Sequence, residues 1–490
     1  WGGLFAEGSQ IGTSLAIFAA TTLVNALVPV RAPEAMGLGS GGTAASTAYT
    51  ANLSANQARL DQAIPVLYGR NKTFPDFAAE PYSEFDANDD QYYHALLCLG
   101  QGEYTIESVM IDDTSISDFS DVQRNTLPPG TAPSLVVANI VNAPEVTGNE
   151  LVDGKYVGPF IGCRPQSTAT KISIDITFSR GLATYDAAGV PGNKTVSWRV
   201  EYRAVDDFGV TSIGVSPGAW TVLATESLTA AQTEALRRTY TYTLPAACRP
   251  QVRLTRVTTY DDNSRVANTI EWAGFRCHLA QPAPLCATAT YIEVRLRASQ
   301  QLSGLSQRKI AVVSRRKVRK WSSGGGWTAV QETRNPAWAL ADKWTNTVYG
   351  DGYADARIDL AGLYTAAQTW DARQDRFDAV FDQIYDSFQA DQMIAQAGRA
   401  AVFRRNTVMT LSRDQLRGMP VTAFTARNIN PGSLAIEYKL ANESTPDGII
   451  VEYWDNRIWD WVDILCPAPG VATPTKPHRL KLFGVTGATH

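Results

Sequence analysis

Signatures of catalysis and metal binding are what this sequence lacks. Its six cysteines, Cys98, Cys163, Cys248, Cys277, Cys286 and Cys466, form no C-x-x-C pair, and its four histidines are scattered. That argues against a structural zinc site. No serine sits in a G-x-S-x-G turn, and no histidine or cysteine stands in a recognisable catalytic setting. The glycine-bearing stretches at 100–104 and 322–327 lack the Lys-Ser/Thr of a phosphate loop and read as turns. Asp86, Asn88 and Asp90 imitate the opening of a calcium loop, but Gln91 stands where glycine is needed and Leu97 where a bidentate glutamate belongs. Asp112-Asp113 and Asp261-Asp262 are neighbours in sequence only, since adjacent residues on a strand point to opposite faces. No internal repeat is evident. A net charge of −4 and a pI of about 5.7 give no general pull toward nucleic acid. These absences leave no catalytic, cofactor-binding or metal-binding residue to nominate.

What is present is core material. The 490 residues are enough for three or four domains. With 44% hydrophobic and 19% charged residues the chain is globular, and 12 Trp, 19 Tyr and 16 Phe can fill its interior. Its start at Trp1 and its end just after an apparent strand at 480–485 read as the limits of a segment of a longer protein. Residues 11–30 carry no charge and match a membrane span in length. No basic residue precedes them, so they are not a clean signal peptide. Their alanines and Thr13, Ser14, Thr21, Thr22 and Asn25 also suit a helix packed in an oligomer or against neighbouring proteins. A segment that enters a membrane at some stage, or an irregular plug, are the other readings. Gly37 to Gly42 follow as a linker.

The middle of the chain alternates with a period of two. Ile172, Ile174, Ile176 and Phe178 share one face, opposite Ser173, Asp175 and Thr177. Val196, Trp198, Val200 and Tyr202 do the same, as do Ile292, Val294, Leu296 and Ala298. Each run predicts a strand with one wet face, and turn-rich pieces separate them. A β-sandwich is expected from about 120 to 290. After Gly326 the period changes. Asn335-Pro336 predicts a helix start, and Leu340, Trp344 and Val348 carry its apolar face to an end at Gly350. A second helix is expected from Asp359, a strand over 377–381, a third helix around 390–397, and a hairpin turning at Arg405-Asn406. Strands return beyond 416: one over 434–440, one with Ile449, Val451 and Tyr453, and one with Trp459, Trp461, Val462 and Ile464. The fold class is mainly β with an α+β part.

The blocks QARLDQAIPVLYGR (57–70), LLCLGQGEYTIESVMIDDTSI (96–116), VRLTRVTTYDDNSRVANTIEWAGFR (252–276), TRNPAWALADKW (333–344), ARIDLAGL (356–363), MIAQAGRAAVFRRNTVMTLSRD (393–414), NESTPDGIIVEYWD (442–455) and LFGVT (482–486) follow one another in a fixed order. In that order they resemble the N-terminal hub portion of the tail tip attachment (host-specificity) protein J family of lambda-like phages, and they cover most of 55–490. The resemblance implies a homotrimer that closes the distal end of a tail tube and surrounds the channel through which the genome leaves. It implies an apolar segment and linker at 1–50, a first hub β-domain at 51–120, a β-rich sandwich-like insertion at 121–290, and return strands of the first domain at 291–325. An α+β hub domain at 326–415 and a second hub β-domain at 416–490 complete the division. The implied partners are tail-tube and tail-tip proteins, the tape-measure protein, a downstream receptor-binding region of the same chain, a membrane met transiently through 11–30, and DNA only in transit. No cofactor and no enzymatic activity are implied. A tail-associated cell-wall hydrolase and a host-surface adhesion module are the alternatives of other classes.

Assembly in a reducing cytoplasm favours free thiols over a bridge such as Cys248–Cys277. Two features are candidates for partner contact. The run 308–321 carries Arg315, Arg316, Lys317, Arg319 and Lys320 with no acid, and suits contact with acidic neighbours. Its bland reading is an edge strand that charges protect from unwanted pairing. A basic ring would also hold DNA that must pass. Trp454, Trp459 and Trp461 could anchor a trimer interface, or could simply fill their local core.

Overall fold

A computed structural model describes residues 56, 58, 62–119, 122–146, 148–207, 219–298, 309–416, 418–419, 422–425, 427–437 and 445–487. The uncharged stretch 11–30 lies outside the described residues, among which no helix is long and apolar enough to cross a membrane. The protein is mainly β, with three α-helices among the described residues.

Two five-stranded sheets are each built from residues far apart in the chain. One orders Arg70–Thr73, Ile310–Val318, Glu103–Ile111 and Thr114–Ser115, with Gln331–Glu332 also on Ile310–Val318. The other orders Asp76–Phe77, Gln91–Gln101, Ala289–Arg297 and Val122–Leu127, with Tyr82–Phe85 on Gln91–Gln101. Leu97, Val109, Ile111, Ile292, Val294, Ile310 and Val312 form a core shared by both sheets. The chain leaves this body after Leu127 and re-enters it at Ala289.

Between those points lies an eight-stranded sandwich. Its long strand Leu236–Arg256 pairs with Ala169–Phe178 along its first half and with Lys194–Val205 along its second, and so belongs to both layers. Ile172, Ile174, Ile176, Phe178, Val196, Trp198, Val200 and Trp272 fill the space between. Each such side chain contributes roughly 1.5–3 kcal/mol on burial. The opposite face of 172–178 is not wet as expected. Ser173 and Asp175 are buried, because Tyr82, Glu84 and Phe85 of the first body pack near them. Asp175 pairs with the buried Arg276 and accepts from Thr239 Oγ1 at 2.6 Å, and the Thr239 hydroxyl accepts from the Phe85 N–H at 2.8 Å. Glu293, also expected on a wet face, is completely buried; its Oε1 accepts the backbone N–H groups of Ser134, Leu135 and Val136 at 2.8–2.9 Å. A buried carboxylate persists only with such donors.

The helical part holds α1 (Pro336–Thr345), α2 (Leu360–Arg373) and α3 (Ser387–Ala397). Asn335, Asp359 and Asp386 cap their first turns by accepting from Ala337, Gly362 and Phe388 N–H groups. The first helix ends earlier than expected. Asn346 adopts an extended backbone and its side chain accepts from Val348 and Tyr349 N–H groups, so Val348 leaves the helix and is exposed. The expected hairpin is Ala400–Arg405 against Val408–Arg413, with Asn406 at φ +59° in its turn. The strand expected over 434–440 is not found: residues 434–437 are irregular and exposed, and 438–440 lie outside the described residues. Gly448–Asp455 instead pairs with Asp460–Pro467 and, in parallel, with Pro477–Lys481.

The six cysteines are free, and no bond joins Cys248 to Cys277. Cys277 instead lies beside Cys163, and a hydrogen bond between the two holds the Cys163 thiol below its usual range.

Candidate interaction surfaces

The basic run is not an edge strand. Ile310–Val318 lies between Arg70–Thr73 and Glu103–Ile111, and its charges are met from within the chain. Arg315 bonds Glu107 and lies 3.4 Å from Glu332, and Lys317 Nζ lies 2.8 Å from Glu103. These acids sit on the flanking strands, where Lys317 is in register with both Glu103 and Glu332. Arg319 stacks over Trp327 at 5.1 Å, and Lys320 pairs its backbone with Thr328. A strand that reads as one-signed is therefore locally neutral in its sheet, which weakens its pull on nucleic acid.

Arg316 is corrected outright as a contact residue: it is 2% exposed. Its guanidinium donates to the Gln101 carbonyl and the Tyr349 hydroxyl, and to Asp342 Oδ2 at 3.2 Å. Tyr68 and Tyr349 hydroxyls also donate to that oxygen, at 3.1 and 2.6 Å. Burial opposes the charge on Arg316, but Tyr104, Tyr349 and Asp342 outweigh it and raise its pKa. Burial and then Asp342 push the Tyr68 hydroxyl up. This cluster fastens α1 to the first body. Its sequence signal was in Gly100-Gln101-Gly102. Gly102 has φ +85°, and a Cβ there would lie 1.7 Å from Arg316 Nη1. The second glycine of that turn therefore makes room for the arginine.

A second node was not foreseen. Asp378, with its side chain fully buried, accepts from the Arg70 N–H at 2.8 Å, Arg334 Nε at 2.8 Å and Asn456 Nδ2 at 3.2 Å. It also accepts from the Thr486 hydroxyl. One carboxylate thus ties the first body, the strand leading into α1 and the C-terminal sheet together. No local pattern marks it, because its partners are spread from 70 to 486.

The three tryptophans separate. Trp459 lies under Arg70, whose guanidinium carbon is 4.9 Å from its ring and whose Nη1 donates to the Asn456 carbonyl at 2.8 Å. It faces the first body of its own chain. Trp454 and Trp461 are a cross-strand pair with centroids 5.4 Å apart on the other face of the sheet, and Lys481 Nζ sits 3.5 Å over Trp461. Trp461 is 43% exposed. The Asp86 turn is backbone chemistry: its Oδ1 accepts from Asn88 and Asp90 N–H groups at 2.7 and 3.0 Å.

Residues 155–278, the strands from Tyr156–Ile161 through Glu271–Leu279, match the family model of the FNIII-A domain of tip attachment protein J. The match supports a structural role in a phage tail. The match spans about a quarter of the chain, and over those residues the chain is similar to tail attachment protein J, as are the ordered sequence blocks. No curated relative matches the chain. Among solved structures, the T=13 particle of infectious bursal disease virus is 10% identical, covering 66% of this chain and 88% of its own, with a TM-score of 0.17. The lipid-containing bacteriophage PM2 structure is 9% identical, covering 51% and 76%, also with a TM-score of 0.17. Overlaps that slight carry no argument about fold or role.

Proposed function

We propose that this chain is one of three identical copies forming the tail-tip hub, which closes the distal end of the tail tube and surrounds the path of the genome. The match of the sandwich to the FNIII-A domain of protein J carries this reading. In it, 51–120 and 291–325 form a first hub β-domain interrupted by the 121–290 insertion, and 416–490 belongs to a second. Two β-domains per copy would let three subunits meet a sixfold tube. The other surfaces face tail-tip and tape-measure proteins and a downstream receptor-binding region. Residues 11–30 serve packing or a transient membrane contact, and DNA only passes. The clamps at Arg316 and Asp378 suit this role, since they hold the parts of a subunit rigid under load without offering a reactive group.

Labelling this chain on whole particles should place it at the far end of the tail with threefold symmetry, and mass measurement of the assembled hub should give three copies. Two or six copies, peptidoglycan digestion by this chain alone, or its direct binding to host cells would overturn the reading.

A further inference from the structure

Three of the six cysteines meet in the sandwich core from separate stretches of chain. Cys277 lies on Glu271–Leu279 in register with Ile172, and with Phe275 it faces the interior between the layers. Cys163 stands two residues beyond Tyr156–Ile161, a strand of the opposite layer, and belongs to the same core. Cys248, on Leu236–Arg256, packs against that core from a partly exposed position.

Backbone geometry brings the first two together. The Gly162 N–H donates to the Pro250 carbonyl at 3.0 Å, and Arg249 Nε donates to the Cys163 carbonyl at 3.0 Å, which seats 162–163 against Leu236–Arg256. Gly162 also presses on the other layer: a Cβ there would lie 2.2 Å from Cys277 Sγ and 2.6 Å from Phe275 Cζ. Only glycine admits so close an approach. The Cys277 thiol donates to the Cys163 sulfur, and the Cys163 thiol donates to the Ser167 carbonyl at 3.5 Å. The two ends differ in stiffness. Cys277 is held between Ala169–Phe178 and Ile140–Asn142, whereas 162–168 lie outside any strand. A disulfide needs its sulfurs about 2.05 Å apart, and the turn can supply that shift.

We propose that Cys163 and Cys277 form an oxidation site, at which a peroxide converts the pair to a disulfide that staples the two layers of the sandwich. The Cys163 sulfur attacks the oxygen–oxygen bond, keeps one oxygen as a sulfenic acid and releases water. The Cys277 sulfur then attacks the Cys163 sulfur, the sulfur–oxygen bond breaks, and a second water leaves. Two thiols and one hydrogen peroxide thus give one disulfide and two waters. Cys163 is the attacking member: the Cys277 hydrogen bond and then Arg249 hold its thiol below the usual range against burial, while burial and then Cys163 push the Cys277 thiol up. At 5% exposure Cys163 is closed to bulky oxidants, so a small peroxide is the fitting class. A reducing cytoplasm keeps the pair as thiols, and an oxidising medium outside the cell closes it. The bond gathers 163–277 into one long loop, where a cross-link removes much freedom from the unfolded chain. The chemistry stands or falls without the hub reading.

The test treats the full 490-residue chain, in a Cys466→Ser background that removes the exposed thiol, with hydrogen peroxide under native conditions. Remaining thiols are blocked, and peptides digested without reduction are read by mass spectrometry. The expected result is a linked pair carrying Cys163 and Cys277, the loss of two free thiols, and a melting midpoint raised by about 5 °C or more that dithiothreitol reverses. Cys163→Ser and Cys277→Ala should each abolish the link and the rise, and Cys248→Ser should preserve both. Thiols that stay free, a link from Cys248 to either neighbour, a sulfinic acid at Cys163 in place of a link, or a midpoint that falls on oxidation would overturn the proposal.

Discussion

The sandwich and the C-terminal sheet are written in the same alternating code and end differently. In the sandwich, Leu236–Arg256 passes from one layer to the other, so every apolar face meets another apolar face and Trp198 and Trp272 are fully buried. In the C-terminal sheet one face rests Tyr453, Val462 and Ile464 on the helical core, while Trp461 and Leu465 on the other face remain in solvent. Alternation specifies a strand with one apolar side. It does not specify the layer that covers that side, and a second layer must come from somewhere. The sandwich carries its own second layer. Among the described residues, nothing covers the outer face of the C-terminal sheet or its long approach.

That difference is open to direct attack. Trp198→Ala should cost about 3–5 kcal/mol by urea denaturation, because a fully buried ring leaves a cavity that two cross-bridged layers cannot close. A loss below about 1 kcal/mol would mean that the sandwich is as loosely completed as the other sheet. Asp378→Ala should follow at about 3 kcal/mol, since it strands Arg334 and Asn456 at a buried junction. Its signature should be regional: hydrogen exchange should quicken over 448–487 and stay slow over 169–178. Uniform quickening would show that the two regions unfold together and that the contrast between them is only one of exposure.

Acid should separate them further. His278 lies in the sandwich with its ring nitrogen 2.8 Å from Ser173 Oγ, and burial, helped by Arg276 and Lys171, lowers its pKa from 6.5 to about 4. The unfolded chain takes up this proton near pH 6.5 and the folded chain only near pH 4. Stability therefore falls as pH drops through that window and levels off below it. The ring is partly exposed, so the expected loss is about 1–2 kcal/mol, below what the full shift would give. His278→Asn should flatten the stability profile between pH 6.5 and 4, measured as the difference from wild type. An unchanged slope would show that the ring protonates freely in the fold.

Local chemistry was legible in advance and distant partners were not. Asn335-Pro336, Asp359 and the Arg405-Asn406 turn announce their elements within a few residues, and the apolar faces of 172–178 and 196–202 lie where their period puts them. The acids failed. The alternation of their strands predicts solvent-facing positions for Asp175 and Glu293, yet Asp175 is covered from residues 82–85 and Glu293 by the loop at 134–136. The one-signed pattern of 315–317 misleads in the same way, since its counter-charges at Glu103, Glu107 and Glu332 arrive only through strand register. Segment 434–437 failed in the opposite sense: its period is that of a strand, and nothing described in its own chain receives it.

The smallest expected effect tests the C-terminal sheet most sharply. Trp461→Ala removes a ring that is 43% exposed and touches Trp454 and Lys481 on the outer face. A cross-strand aromatic pair is worth roughly 0.5–1 kcal/mol, so the isolated chain should lose no more than about 1 kcal/mol of stability. If the outer face is finished by other molecules, the same substitution should weaken assembly more than it weakens folding, because a tryptophan buried on association is a frequent hot spot. Comparing urea midpoints with subunit dissociation for this one variant separates the two roles. Equal effects on both would mean that Trp454 and Trp461 serve only their own hairpin, and that the sheet ends the subunit and does not begin an interface.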